Sequence, residues 1–452
     1  MNTPICDFVR QYSAREPVRL HMPGHKGQPL LGAEPLDITE IPGADVLYHA
    51  EGIILESEEN AASLFGTKKT LYSAEGSSLP IRAMLYLASL YAARQGKKPL
   101  IAAGRNAHKV FITAAALLDV QVQWLYGDDA DDLVTCALTP RQLESYLTGC
   151  AEKPTAVYLT SPDYLGNRMD IATMARVCHD HGCLLLVDNA HGAYLNFLEE
   201  SLHPMALGAD LCCDSAHKTL PVLTGGAYLH VGKAAPALFA EAAESAMALF
   251  ASTSPSYLIL QSLDQANAYL ADGFREKLKD AVQVWNRVKD SLKEAGWVLT
   301  GQEPLKLTIL PKARGYTGEE LAELLETQNI FCEFADPDHL VLMLPVEFGE
   351  SLPGMVEAAL LATPKRTAIS SGAPALHRAE AVLSPHEALF RPSRMVSTRE
   401  ALGKIMADPT VSCPPAIPVV SCGERIEQWA VDAMDYYGIN RVRVIMDNEV
   451  TL

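Results

Sequence analysis

The chain has 452 residues, 48% of them hydrophobic and 20% charged, with a net charge of −18. That length suits two or three domains with an ample core, and the composition excludes long disordered stretches. The acidic balance argues against a nucleic-acid surface and is compatible with cationic substrates.

Residues 3–12 read as an amphipathic helix at the start of an arm, residues 1–60, that mixes Pro, Gly and short helices. Asp7, Arg10 and Arg15 interrupt any apolar core, so residues 1–15 do not read as a signal peptide. His21, His25 and Lys26 cluster around a Pro-Gly turn. Residues 71–78 then lead into a predicted helix over 79–94. Gly76 gives the backbone freedom there, and Ser77 and Ser78 place hydroxyls and free amides at the positive end of the helix dipole. Such a start can cradle a phosphate, and it also reads as an ordinary Ser-capped helix.

A strand over 99–103 delivers Asn106-Ala107-His108-Lys109 to the sheet edge. An acidic loop at 128–132, a helix over 140–148 and a strand over 156–160 come next, and the strand ends in Ser161-Pro162-Asp163-Tyr164. Asp163 reads as a cap for the helix over 171–181. Strands alternating with helices predict a mostly parallel, helix-covered sheet.

The apolar run Leu184-Leu185-Leu186-Val187 stops at Asp188-Asn189-Ala190-His191-Gly192, and a second strand over 209–214 stops at Ser215-Ala216-His217-Lys218. In an open α/β sheet, ligands bind beyond the carboxyl ends of the strands, which is where Asp188 and Lys218 fall. That pair matches the needs of pyridoxal phosphate (PLP). A lysine amine condenses with the aldehyde, and a carboxylate keeps the ring nitrogen protonated, so that the ring can take up electrons released at Cα. Ala190, two residues beyond Asp188, leaves flat space under a ring. The second strand also holds the doublet Cys212-Cys213. The ten cysteines show no CxxC pair and no paired Cys/His spacing. They read as reduced core thiols of a cytosolic protein, with neither a metal site nor a disulfide framework.

Ala-rich helical sequence runs on to Ser252-Thr253-Ser254-Pro255. A single long helix is expected over 264–295, then strands over 305–310 and 339–344 with a helix over 317–327 between them. A Ser/Gly/Pro linker at 370–374 precedes a last piece containing Cys413-Pro414-Pro415-Ala416-Ile417-Pro418 and Gly423-Glu424. No uncharged apolar run reaches membrane-spanning length, so a soluble, cytoplasmic protein is expected.

The ordered series His21 to Gly27, Asp37 to Glu40, Glu75 to Ser78, Asn106 to Lys109, Ser161 to Tyr164, Asp188 to Gly192, Ser215 to Lys218, Thr253 to Pro255 and Cys413 to Pro418 resembles the ornithine/lysine/arginine decarboxylase family, in its short form without an N-terminal wing domain. The resemblance implies an α/β fold of the aspartate-aminotransferase-like fold type I. Its PLP-binding large domain (61–263), with a mixed, mostly parallel sheet, comes after the arm and precedes a small α/β domain (264–370) and a C-terminal α+β extension (371–452). It also implies PLP as cofactor, a homodimer or higher even oligomer, and α-decarboxylation of arginine, lysine or ornithine in polyamine synthesis.

By the same resemblance Gly76, Ser77, Ser78, Ser215 and Thr253 bind the phosphate, with Thr253 serving the neighbouring subunit. His108 stacks on the ring opposite Ala190, with His191 nearby. Glu424, Tyr164 and His25 lie towards the substrate. His217 or Lys218 returns the proton to Cα. The chain departs from the family at Glu75, Ser78, Asp163 and Ala416, where the family has Asn, Thr, Thr and often Gly. An aminotransferase or β-eliminase on the same scaffold, or a PLP-binding regulator without activity, are the alternatives.

Overall fold

The computed structural model describes residues 1–127, 133–409 and 416–446. The acidic loop at 128–132 and the segment Cys413-Pro414-Pro415 lie outside the described residues.

The helices are α1 (Pro4–Ala14), α2 (Ile53–Phe65), α3 (Ser78–Arg94), α4 (Lys109–Leu117), α5 (Pro140–Gly149), α6 (Ile171–Asp180) and α7 (Ala216–Thr219). They continue with α8 (Ala237–Ala248), α9 (Tyr257–Ala271), α10 (Phe274–Glu294), α11 (Gly318–Glu326), α12 (Leu352–Ala362), α13 (Pro385–Leu389) and α14 (Gln428–Tyr436). The strands are β1 (Lys69–Ser73), β2 (Leu100–Gly104), β3 (Gln121–Leu125), β4 (Ala156–Thr160), β5 (Leu184–Asp188), β6 (Leu211–Asp214) and β7 (Ala227–Val231). Beyond them come β8 (Leu299–Thr300), β9 (Lys306–Ile309), β10 (Phe334–Ala335), β11 (Leu340–Met343), β12 (Ser393–Ser397) and β13 (Arg441–Ile445).

The chain folds into two compact units. The first comprises Met1–Lys97, Thr155–Leu159 and Ile171–Glu276. Its strands run in the order β1-β7-β6-β5-β4. β5 and β6 are parallel, whereas β7 runs antiparallel to both β6 and β1. Every residue of β5, β6 and β7 is buried. Strands covered on both faces need continuous apolar runs, which is why Leu184-Leu185-Leu186-Val187 reads as it does. The register sets Asp188 beside Cys213. In α1 the apolar stripe buries Ile5 and Val9.

The second unit comprises Lys98–Pro154, Thr160–Asp170 and Lys277–Leu452. It holds the parallel pair β2 and β3, the antiparallel sheet β10-β11-β9-β8 and the antiparallel pair β12 and β13. Helix α11 opens with a capping box in which Thr317 accepts from the Glu320 amide and Glu320 accepts from the Thr317 amide. Val396, Met406, Val420, Ile426, Val442 and Val444 form part of a core under the C-terminal strands and α14.

Two local expectations are corrected. The helix expected over 264–295 is two helices, α9 and α10, because the chain breaks at Gly273 with φ +71°. Asp163, expected as a helix cap, is engaged within its own turn. Its buried carboxylate accepts from the Leu165 amide at 2.9 Å and from the Asn167 amide at 2.8 Å, so it closes its own turn. Ala416 keeps the left-handed backbone that glycine would favour, at φ +59°, and its carbonyl accepts from the Lys109 amide at 2.8 Å.

Candidate active site

In the first unit, β5 and β6 run side by side and end together, and the residues just past each strand are polar. Asp188 closes β5, buried to 3% exposure. Its carboxylate accepts from three donors: the Tyr158 hydroxyl at 3.1 Å, the Ala190 amide at 3.1 Å and the Cys213 thiol at 3.5 Å. These bonds fix the plane of the carboxylate. Burial, with Asp188 beside it, pushes the Tyr158 hydroxyl well above the usual phenol range, so Tyr158 remains a donor. Cys213 is likewise pushed up by burial and by Asp188.

Past the end of β6, the short helix α7 presents His217 and Lys218. The Lys218 amine lies 2.8 Å from His191 Nε2, and His191 belongs to the turn after β5. His217 makes a different bond: its Nδ1 donates to the Gly226 carbonyl at 2.9 Å.

The loop before α3 meets this edge. The Ser215 hydroxyl donates to the Ser77 hydroxyl at 2.8 Å. Gly76, at φ +68°, donates its amide to the Gly225 carbonyl at 2.7 Å. Gly225 itself is at φ +102°, and a Cβ there would stand 3.0 Å from the Ala74 carbonyl oxygen, so glycine permits this close approach. Ser78 opens α3. Glu75, which would add charge beside a phosphate, is engaged elsewhere and accepts from the Ser252 amide at 2.7 Å. That bond ties the turn carrying Thr253 to the loop carrying Gly76.

The structure therefore brings together Gly76, Ser77, Asp188, Ala190, His191, Ser215, His217 and Lys218, with Ser78 next in the chain and Thr253 on the tethered turn. His25 lies in the same unit but is engaged in the arm, 3.2 Å from the Asp37 carboxylate. His108, Tyr164 and Glu424 belong to the second unit. His108 caps α4, its Nδ1 accepting from the Val110 amide at 3.2 Å. Tyr164 donates to Glu333 at 3.2 Å. Glu424 is buried, accepts from the Ser421 amide at 2.6 Å and stands 3.5 Å from the Arg105 guanidinium.

Residue types alone did not reveal a layer beneath the site. The Asp214 carboxylate, fully buried, receives His203 Nε2 at 2.9 Å, His230 Nε2 at 3.1 Å and the Asn189 side-chain amide at 2.6 Å. Two imidazoles and a carboxylate this close could ligate a metal ion. The hydrogen bonds argue for protons instead. His203 Nδ1 accepts from the Met205 amide at 3.2 Å, so its ring proton sits on Nε2 and points at Asp214. His230 Nδ1 meets the Thr70 hydroxyl at 2.8 Å. Burial by itself would raise the Asp214 carboxyl, but the facing imidazoles outweigh it and hold the group well below the usual carboxylate range. Tyr158 and Asp214 had one signal in the sequence: both lie in apolar strands, where a polar side chain needs a partner.

The donor set fits PLP. An amine, a buried carboxylate at a strand end, and two hydroxyls converging beside a glycine turn at a helix start are the groups its aldehyde, ring nitrogen and phosphate require.

The sequence matches the family model for Orn/Lys/Arg decarboxylase, major domain, over residues 3–308. It is 31% identical to an uncharacterized Bacillus subtilis protein, YaaO, over 96% of this chain and 94% of that protein. A Bacillus subtilis arginine decarboxylase is 27% identical over 94% of this chain and 91% of its own. Among solved structures, the Francisella novicida lysine decarboxylase LdcF is similar with a TM-score of 0.79, covering 98% of this chain and 81% of its own at 17% identity, a likeness of fold.

Proposed function

The chain belongs to the Orn/Lys/Arg decarboxylase family, and from that premise we propose that this PLP-dependent decarboxylase acts on L-arginine, as a cytoplasmic homodimer that feeds polyamine synthesis. The observation that carries the assignment of the site is the meeting of Lys218, Asp188 and the Ser77–Ser215 hydroxyl pair at one sheet edge. Arginine is favoured over lysine and ornithine because relatives aligned along 93–94% of this chain bear the name arginine decarboxylase.

PLP, when bound, supplies a sink for the electron pair released as the bond from Cα to the carboxylate breaks. The chain supplies the rest. Lys218 is the residue that holds the cofactor's aldehyde carbon. Asp188, its lone pairs oriented by Tyr158, Ala190 and Cys213, holds a proton on the ring nitrogen. Ser77, Ser78, Ser215 and Thr253 take the phosphate, with the α3 dipole behind them. Ala190 leaves room for the flat ring. The family resemblance alone assigns His108 to stacking on the ring, and Glu424, Tyr164 and His25 to the substrate.

The test is CO2 release with parallel amine detection from PLP-loaded protein given L-arginine, L-lysine and L-ornithine separately. Release from arginine with formation of its decarboxylated amine is expected. Release from lysine or ornithine instead would reassign the substrate. Keto-acid production in place of CO2 would mean a transaminase, and full PLP occupancy without turnover would mean a binding protein. Lys218→Ala should remove the PLP absorption band near the visible edge, and an unchanged band would refute the assignment of Lys218.

A further inference from the structure

Breaking the bond from Cα to the carboxylate leaves an electron pair on Cα that must take up a proton, and the two candidates adjoin each other in sequence, His217 and Lys218. Their hydrogen bonds separate them. The carbonyl of Gly226 can only accept, so the proton on the neutral His217 ring sits on Nδ1, 2.9 Å from that oxygen. The Nε2 of the neutral ring then carries no proton, so His217 can give one from that nitrogen only when the ring holds two.

Lys218 is placed differently. Its amine lies 2.8 Å from His191 Nε2, hydrogen-bond distance for a single shared proton. Both residues are fixed by backbone bonds. The Lys218 amide donates to the Ser215 carbonyl at 3.0 Å, and the His191 turn is closed by the Gly192 amide on the Asn189 carbonyl at 2.8 Å. His191 is buried, at 4% exposure. Two cations this close would repel, so the distance fits one proton held between the two nitrogens.

We propose that His191 is the proton partner of Lys218. It keeps a proton on the lysine amine when that amine is free, and Lys218, not His217, returns the proton to Cα. The inference rests on the reading of this site as a PLP decarboxylase with Lys218 at the aldehyde carbon. In the step, the bond from Cα to the carboxylate breaks and CO2 leaves. Cα takes a proton from the Lys218 ammonium, and the amine regains one through His191, so one proton from water is consumed per CO2. His191 acts through Lys218 and is a positioning residue.

The test uses the full-length chain with His191→Phe and with His191→Gln, which restores an acceptor. In cofactor-free protein, Lys218 is labelled with acetic anhydride across a pH series and read by mass spectrometry. His191→Phe should lower the midpoint of labelling by about one pH unit, since the ammonium loses its acceptor, and His191→Gln should recover part of the shift. In PLP-loaded protein, His191→Phe should raise at least tenfold the fraction of turnovers that end in pyridoxamine phosphate and an aldehyde, the products of protonating the cofactor carbon instead of Cα. The same fraction should stay at the parent level in His217→Gln, even where PLP binds more weakly. An unchanged labelling midpoint and an unchanged product fraction in both His191 variants would overturn the proposal. Borohydride trapping distinguishes failure of the underlying reading: if it does not fix PLP to Lys218 in the parent protein, the site assignment falls and the proposal with it.

Discussion

Glu58 shows how a single side chain sets a pH limit on the fold. It is buried at 4% exposure, and its carboxylate accepts from the Tyr72 amide at 2.8 Å. Burial pushes its carboxyl up to about 8, against the pull of that amide. The folded value lies above the unfolded one, near 4.3. The stability this group contributes is therefore complete below the unfolded value and is lost as pH rises through about 8. The loss should be at most about 1.4 kcal/mol per pH unit across that window. Glu58→Gln keeps the acceptor and has no charge to bury. Its melting temperature should hold between pH 6 and pH 9 where that of the parent falls, and parallel slopes in the two proteins would show that Glu58 ionises freely in the fold. Ala416 is a second residue-scale case, in which the terms nearly cancel. A left-handed non-glycine residue costs about 1–2 kcal/mol, and Ala416→Gly relieves that. It also gives up a buried methyl, about 0.8 kcal/mol, and adds about 0.4–1 kcal/mol of chain entropy to the unfolded state. The variant should unfold within about 1 kcal/mol of the parent in denaturant, which is why alanine is tolerated at a glycine position.

The strands β5 and β6 act as one element because their ends are tied beneath the site. Asn189 comes directly after the β5 carboxylate, and its side chain reaches Asp214 at the end of β6; His230 joins from β7. Asp214→Asn tests this tie. An amide offers one acceptor where the carboxylate offers two, so its NH2 must face either the two imidazole N–H groups or the Asn189 amide, donor against donor. A loss of about 2–4 kcal/mol is expected, from buried donors left without acceptors. The pH dependence has a definite sign. Asp214 is held below its unfolded value by the imidazoles despite its burial, and burial lowers His230. A group with a depressed folded value contributes stability above its unfolded value and loses it as pH falls, through about 6.5 downward for a histidine and about 3.9 downward for an aspartate. The parent should lose stability on acidification, and Asp214→Asn should be less stable at pH 7 with a shallower acid loss. PLP affinity should fall with it, since Asp188 and Lys218 stand on these strand ends; unchanged affinity would show that the tie serves the fold alone. The strands themselves were legible, because uninterrupted apolar runs of strand length stop at polar residues. The break between α9 and α10 was not, because one glycine in a helical pattern is compatible with a continuous helix until its φ is known.

At the scale of the whole molecule, the candidate site was legible where it depends on a residue's position at a strand end, and illegible where it depends on which side chains meet. Asp188 and Lys218 could be placed from strand ends alone. The choice between His191 and His217 as neighbour of the lysine amine could not, because it depends on the rotation of α7 and on a carbonyl nine residues further on. The arm is a similar case, for its segment could be marked as an arm but its surface could not be drawn. Arg19 is buried and donates to the carbonyls of Glu34, Pro35 and Asp37, and Glu34 accepts from the amides of Leu31 and Gly32. The frame is polar and satisfied, and it holds large apolar side chains outward: Val18 is 85% exposed, Leu20 89%, Leu30 83% and Leu31 95%. Exposed leucines on a satisfied polar frame suit a covered surface, and a second copy of the chain is the partner that the proposed homodimer would supply. Covering each such side chain is worth about 1.5–3 kcal/mol, so losing two should weaken a dimer by two or more orders of magnitude in Kd. Native mass spectrometry across a dilution series should find the parent dimeric, and Leu20→Ser with Leu31→Ser dissociating at far higher concentration. If the double variant dimerises as tightly as the parent, the arm is not the interface. A parent that stays monomeric at micromolar concentration would rule out the homodimer itself.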